Sequence, residues 1–272
     1  MAEMLLEQMD TYWTGRADGY SQGNMDELES GRSAAWKWLI ERYAPPGNNL
    51  NILDVGTGPG FLALIMAECG HNVTAVDYTG AMIDQARQNA NRCGLKVTFL
   101  KMDAQTLDFA DQSFDFVLTR NLTWSLEAPE RSYREFLRVL VPGGRILNFD
   151  ANWYFHLFDP DAKKAWNWDR QKAKKLAYPD HCAAASTQVM ASIAEKLPLS
   201  RIQRPEWDVN ALRKIGFTKI LVELDIGKYV WDKVQKINFA STPMFMIGAE
   251  KQARSKSWNN LKKGNIQSHA TF

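Results

Sequence analysis

Apolar positions along the chain follow two alternating rhythms. Five short β-rich runs stand out: LNILDV (50–55), NVTAVD (72–77), KVTFLKM (96–102), FDFVLT (114–119) and GRILNFD (144–150). Between them lie FLALIMAECG (61–70), TGAMIDQARQNANRCG (79–94) and APERSYREFLRVLVPGG (128–144), which predict helices. Gly70, Gly94 and Gly143 stand where each helix must turn back toward a strand. Strands alternating with helices of this length predict right-handed crossovers and a parallel sheet covered on both faces.

Either side of this core the rhythm differs. Residues 1–47 mix polar and apolar positions at helical spacing and close on Pro45, Pro46 and Gly47. Residues 151–206 predict two helices, 160–177 and about 182–197, with Asp159 capping the first and Pro160 at its opening position. A helix over 208–215 and strands over 217–226 and 243–251 then complete the α/β pattern. Val222, Leu224 and Ile226 alternate with Glu223 and Asp225, which predicts antiparallel pairing at the sheet edge. The expected organisation is an N-terminal helical lid (1–47), a nucleotide-binding core (48–150), a helical substrate cap (151–206), completion of the core (207–251) and a polar tail (252–272).

Composition narrows the classes. A formal net charge of +2 gives no nucleic-acid footprint. Cys69, Cys93 and Cys182 are scattered, with no CxxC pair, so neither a thiolate metal site nor a disulfide framework is expected. His181 beside Cys182 has no second pair of ligands, and no metal is expected. The opening MAEMLLEQMDTYW lacks a basic region followed by an apolar one, and no apolar run approaches the roughly 20 residues that span a bilayer. A cytoplasmic location without membrane attachment is the expectation.

The chemistry concentrates after the first strand. LDVGTGPGF (53–61) places Gly56, Gly58 and Gly60 at alternate positions between a strand and a helix, where an open parallel sheet binds ligands. The dinucleotide pattern G-x-G-x-x-G/A would need a small residue at Phe61, and no Gly-Lys-Ser/Thr follows for a phosphate loop. Asp77, at the tip of the second strand, is placed to accept bonds from both hydroxyls of a ribose, which would suit NAD equally. Asp103 and Ala104, at the tip of the third, are placed to read an adenine edge.

In order and spacing, ILDVGTGPG, VTAVDYTGAMIDQAR, MDAQTLDFADQSFDFVLTRNL and FLRVLVPGGRIL resemble the class I S-adenosylmethionine-dependent methyltransferases. The branch most similar is that of the ubiquinone and menaquinone C-methyltransferases. The resemblance implies a Rossmann-like, seven-stranded, mostly parallel sheet with an antiparallel last strand and helices on both faces. It also implies S-adenosylmethionine as cofactor: Asp54, Gly56, Thr57, Gly58 and Gly60 around its methionine part, Asp77 on the ribose, Tyr78 and Met82 flanking the adenine, Asp103 and Ala104 at its edge. Asn121 and Leu122 would face the sulfur, and Tyr12 and Tyr20, within YWTGRADGY, would close over the cofactor.

The acceptor is less legible. Methyl transfer from a sulfonium is an in-line displacement that needs positioning and a dry site more than a dedicated nucleophile. Trp153, Tyr154, Phe155, His156 and Phe158, together with Trp124, offer an apolar pocket or an amine cage, or else simply pack the cap onto the sheet. His156 is the candidate general base, because a near-neutral imidazole suits proton removal. Residues 151–205 hold nine basic against five acidic side chains, either a solvated helix face or an attraction for an anionic substrate. A small-molecule acceptor is expected. An RNA or protein substrate is disfavoured by RNLT, where a D/N-P-P-Y/F motif would stand. A non-catalytic cofactor-binding protein is the third reading, and the oligomeric state is not encoded in any feature recognised.

Overall fold

The computed structural model describes residues 4–180 and 186–253. His181, Cys182 and most of the polar tail lie outside that range. Seven strands form one sheet: β1 (Asn51–Val55), β2 (Asn72–Asp77), β3 (Thr98–Lys101), β4 (Phe114–Arg120), β5 (Leu140–Asp150), β6 (Phe217–Glu223) and β7 (Phe245–Lys251). Their order is β3-β2-β1-β4-β5-β7-β6, with β7 antiparallel to both neighbours and the other pairings parallel. Strand order therefore reverses between β1 and β4, which opens a crevice at their carboxyl ends.

The chain begins with three helices, α1 (Leu5–Thr14), α2 (Ala17–Glu27) and α3 (Ser33–Tyr43), the last two joined by a kinked turn in which Gly31 adopts φ 78°. Helix α4 (Phe61–Glu68) is buried at six successive residues, Phe61–Met66, which explains its uniformly apolar sequence. With α3 and α5 (Gly80–Cys93) it covers one face of the sheet, in a core around Trp36, Phe61, Phe116 and Phe149. The other face carries α6 (Pro129–Val139), seated through Tyr133 and Phe136 beside Leu212. That leucine belongs to α9 (Glu206–Ile215). The segment expected as a cap carries α7 (Pro160–Lys175) and α8 (Ser186–Ala194). Asp159 Oδ1 accepts from Ala162 N at 2.7 Å, the expected cap of α7.

Three expectations are corrected. The helix over 128–144 stops at Val139, and β5 starts at Leu140 rather than 144. Pro142 cannot continue a helix and biases Val141 toward extended backbone, so Gly143 turns within a register shift between β4 and β5 rather than capping α6. The strand predicted over 217–226 pairs antiparallel at the sheet edge as expected but ends at Glu223, leaving Leu224 67% exposed while Ile226 is buried beyond the strand. Two short helices, α10 (Gly227–Val230) and α11 (Lys233–Asn238), occupy a stretch without recognised pattern.

Candidate active site

A cavity of about 320 Å³ opens over the carboxyl ends of β3, β2, β1 and β4 and extends under the cap. Its floor is the glycine loop. Gly56 has φ 69°, and a Cβ there would lie 2.8 Å from Leu122 Cδ1, so the loops after β1 and β4 touch only because the residue is glycine. Gly58 (φ 54°) also lines the cavity, and its missing side chain would meet Tyr20 at 3.6 Å. Gly60 (φ 94°) faces Ala86 and Phe99, and thus serves the packing of α4 on α5.

Asp54 and Thr57 sit beneath this loop and do not line the cavity. Asp54 Oδ2 accepts from Thr57 Oγ1 at 2.6 Å and from Ala63 N at 3.1 Å. Burial pushes its pKa up to about 7, against the lowering effect of those two bonds. Asp77 lines the cavity and braces the loop, its Oδ2 accepting from Gly58 N at 2.8 Å and its Oδ1 from Thr79 N at 2.9 Å. Desolvation raises its pKa to about 6, with a further push from the nearby Asp10 carboxylate. Each oxygen keeps a lone pair for a ligand hydroxyl.

Tyr78, Met82, Asp103 and Ala104 continue the wall at the β3 end. Asp103 also orders its own turn, Oδ1 accepting from Gln105 N at 2.9 Å. On the other side come Asn121, held at φ 58°, and Leu122. From α1 the wall takes Leu6, Met9, Asp10 and Trp13, spaced as one helix face. Tyr12 falls off that face; it stands edge-on to Trp13 at 5.1 Å and does not line the cavity, whereas Tyr20 does.

The cap end is aromatic. Trp124, Trp153, Tyr154 and His156 all reach the wall, joined by Trp166 and Phe239, while Phe155 and Phe158 do not. Trp124 and Tyr154 lie 4.9 Å apart at 32°. Both tryptophans hang on one carboxylate: Asp150 Oδ2 accepts from Trp124 N at 2.9 Å, and Oδ1 from Trp153 Nε1 at 3.1 Å. His156 stacks on Trp166 at 4.7 Å, with Nδ1 buried and unpartnered among the described residues. Burial drives its pKa down to about 4, helped by Lys163 and Arg170. The near-neutral imidazole expected from sequence is thus replaced by a ring that is neutral at physiological pH but only weakly basic.

Sequence reasoning passed over Asp10, Trp13, Arg120, Asp150, Trp166 and Phe239. The spacing 6-9-10-13 marked the α1 face, and NFDANW marked an acid at a strand's carboxyl end, where ligands gather. Phe239 carried no such signal. Among the described residues no group of three or more potential metal ligands occurs, and no helix is long and apolar enough to cross a membrane.

Comparison with known proteins agrees with this architecture. Residues 53–148, about a third of the chain, match the methyltransferase domain family. A demethylmenaquinone methyltransferase of Thermus thermophilus is 40% identical over 122 residues, 44% of this chain and 56% of that protein. A ubiquinone/menaquinone biosynthesis C-methyltransferase of Bartonella tribocorum is 29% identical over 163 residues, 56% of this chain and 62% of that one. The chain thus spans less than two thirds of either relative. Among solved structures, the [4+2]-cyclase SpnF superposes with a TM-score of 0.54 at 18% identity, covering 80% of each chain, a likeness of fold. The sequence resemblance is confirmed: the domain is of the class I methyltransferase type, similar to the ubiquinone and menaquinone enzymes.

Proposed function

We propose that this chain is an S-adenosylmethionine-dependent methyltransferase acting on a small molecule. In this reading residues 1–47 form a lid over the cofactor and 151–206 a cap over the acceptor. One observation carries it: the order of groups along the cavity. Asp103 and Ala104 stand at the β3 tip, Asp77 at β2, the glycine loop at β1, Asn121 and Leu122 at β4, and the aromatic box beyond them. That series matches adenine, ribose, methionine and acceptor in turn. The residues fit the cofactor, because buried Asn121 Oδ1 has no partner among the described residues and Gly56 and Gly58 present bare backbone to the cavity.

The cofactor, when bound, supplies a methyl group on a positively charged sulfur. The protein's part is binding and alignment. Asp77 accepts the ribose hydroxyls while bracing Gly58, and Leu122 fixes the loop through its contact with Gly56. Trp124 and Trp153, locked by Asp150, hold a flat face of the acceptor and exclude water. Such alignment is worth about 7 kcal/mol or more of the barrier in well-oriented systems. His156 offers Nδ1 as a hydrogen-bond acceptor rather than as a base matched to neutral pH.

Calorimetric titration with S-adenosylmethionine, S-adenosylhomocysteine and NAD tests the reading. The two sulfur nucleotides are expected to bind and NAD not to; binding of NAD alone refutes it. Transfer of labelled methyl to bulk RNA or protein, with none to small aromatic metabolites, would reassign the acceptor.

A further inference from the structure

Helix α7 presents opposite faces to two environments. On its inner side Trp166 reaches the cavity wall and stacks on His156, while Asp169 and Ala173 are buried. Asp169 is engaged within the fold, its Oδ2 accepting from Ser241 N at 2.8 Å. Arg170 also turns inward, where Nη2 donates to the Asn238 carbonyl. Trp168, two residues beyond Trp166 and about 200° around the helix, is instead 67% exposed.

The surroundings of that exposed indole are basic. Lys164, Lys172 and Lys175 are exposed and share its side of the helix, at the four- and three-residue spacing of a single face. Lys174 flanks them, and Leu176, just past the helix end, is 45% exposed. Among the described residues of α7, Asp161 is the one acid on this face, and it already lies 3.0 Å from Lys164 Nζ. Lys172, Lys174 and Lys175 have no ion pair among the described residues. Lysines in a last turn offset the helix dipole, which accounts for these three but for neither Lys164 nor Trp168.

An indole set among lysines suits the boundary of an anionic bilayer. The ring sits at the level of the headgroups, the lysine stems lie along the apolar border, and the ammonium groups meet the phosphates. The outer side of a helix is convex, so it matches a flat, deformable surface better than a shaped acidic protein. We propose that α7 docks this chain on an anionic membrane surface through Trp168, Lys164, Lys172 and Lys175. Such contact needs no spanning segment, and none of the described helices is long and apolar enough to be one. Because Trp166 lies on the inner side of the same helix, α7 then stands between the bilayer and the aromatic end of the cavity. The inference does not depend on which cofactor the cavity holds. An acidic protein is the competing partner.

Flotation of the full chain with phosphatidylcholine vesicles, with and without phosphatidylglycerol, separates these cases. Wild type is expected to float with the anionic vesicles alone and to be released as salt rises. The triple variant K164Q/K172Q/K175Q should bind those vesicles roughly 10- to 100-fold more weakly, with its far-ultraviolet dichroism unchanged. Trp168→Ala should bind them several-fold more weakly while keeping the salt dependence. Wild-type protein that ignores anionic vesicles overturns the proposal, and so does wild-type affinity in the triple variant. Undiminished vesicle binding by Trp168→Ala also overturns it: the lysines then act as a general polyanion contact, and equal affinity for soluble polyglutamate would point to the acidic protein. Should the triple variant fail to fold, Trp168→Ala and the choice between the two vesicles carry the same decision.

Discussion

Arg204 and Asp150 meet behind the aromatic wall, Nη1 to Oδ2 at 2.7 Å, with neither side chain exposed. Arg204 also grips Asp208 with two nitrogens, at 2.8 Å from Nε and 2.7 Å from Nη2, and donates to Thr123 Oγ1 at 2.6 Å. The pair therefore joins the end of the cap, the start of α9 and the tip of β5. Asp150 is the same carboxylate that holds Trp124 and Trp153, so this network sets the shape of the aromatic end of the cavity.

Removing the cation leaves two buried carboxylates, Asp150 and Asp208, without the charge they share. Arg204→Met is therefore expected to destabilise the fold by about 3–5 kcal/mol. Urea unfolding followed by circular dichroism measures this. A loss below 1 kcal/mol would show that the carboxylates have another source of compensation.

Asp54 makes stability depend on pH in an unusual direction. Its folded pKa of about 7 lies above its ordinary value of 3.8, so between those values the folded state holds a proton the unfolded state has lost. Stability is greatest toward the acidic side of that window and falls as pH rises through it. From pH 5 to pH 8 the apo protein should lose about 3 kcal/mol on this account, with a smaller loss of the same sign from Asp77. Asp54→Asn keeps an oxygen acceptor for Thr57 and Ala63 and should remove most of the slope. Parallel pH profiles for the two proteins would contradict the assignment.

Much of this architecture was legible beforehand because local chemistry repeats along the chain. The strand runs, the αL glycine at Gly94 and the alternate glycines after β1 each act within a few residues. What escaped was long-range or brief. Arg120 meets Glu27 across 93 positions and Arg204 meets Asp150 across 54, and no periodicity announces such pairs. Helices α10 and α11 are four and six residues long, too short for an apolar stripe to register. Tyr12 and Trp13 differ in phase: the stripe at 6, 9, 10 and 13 brings the Trp13 ring, not that of Tyr12, to the cavity.

His156 offers a direct test of electrostatics. Its imidazole should titrate near pH 4, since burial and the flanking Lys163 and Arg170 all oppose protonation. NMR of the histidine Cε1–H resonances, assigned by loss of one signal in His156→Gln, reads this value. A midpoint near the ordinary 6.5 would restore the ring as a base suited to neutral pH.

Asp77 braces the loop, and the ligand-binding role proposed for it can be separated from that one. Asp77→Asn retains one acceptor oxygen and much of the shape but removes the charge and half of the acceptor capacity. With Gly58 N and Thr79 N already on the carboxylate, the ribose hydroxyls draw on what remains. The variant should bind S-adenosylhomocysteine roughly 10- to 100-fold more weakly while keeping its far-ultraviolet dichroism. Wild-type affinity should also fall as pH drops through about 6, where the carboxylate takes up a proton and one acceptor oxygen becomes a donor. The variant, with nothing to titrate there, should show a flat profile. Loss of affinity without the pH dependence would mean that Asp77 acts only by bracing the loop, and that the ribose finds its acceptors elsewhere, with Asp10 the next carboxylate along the wall.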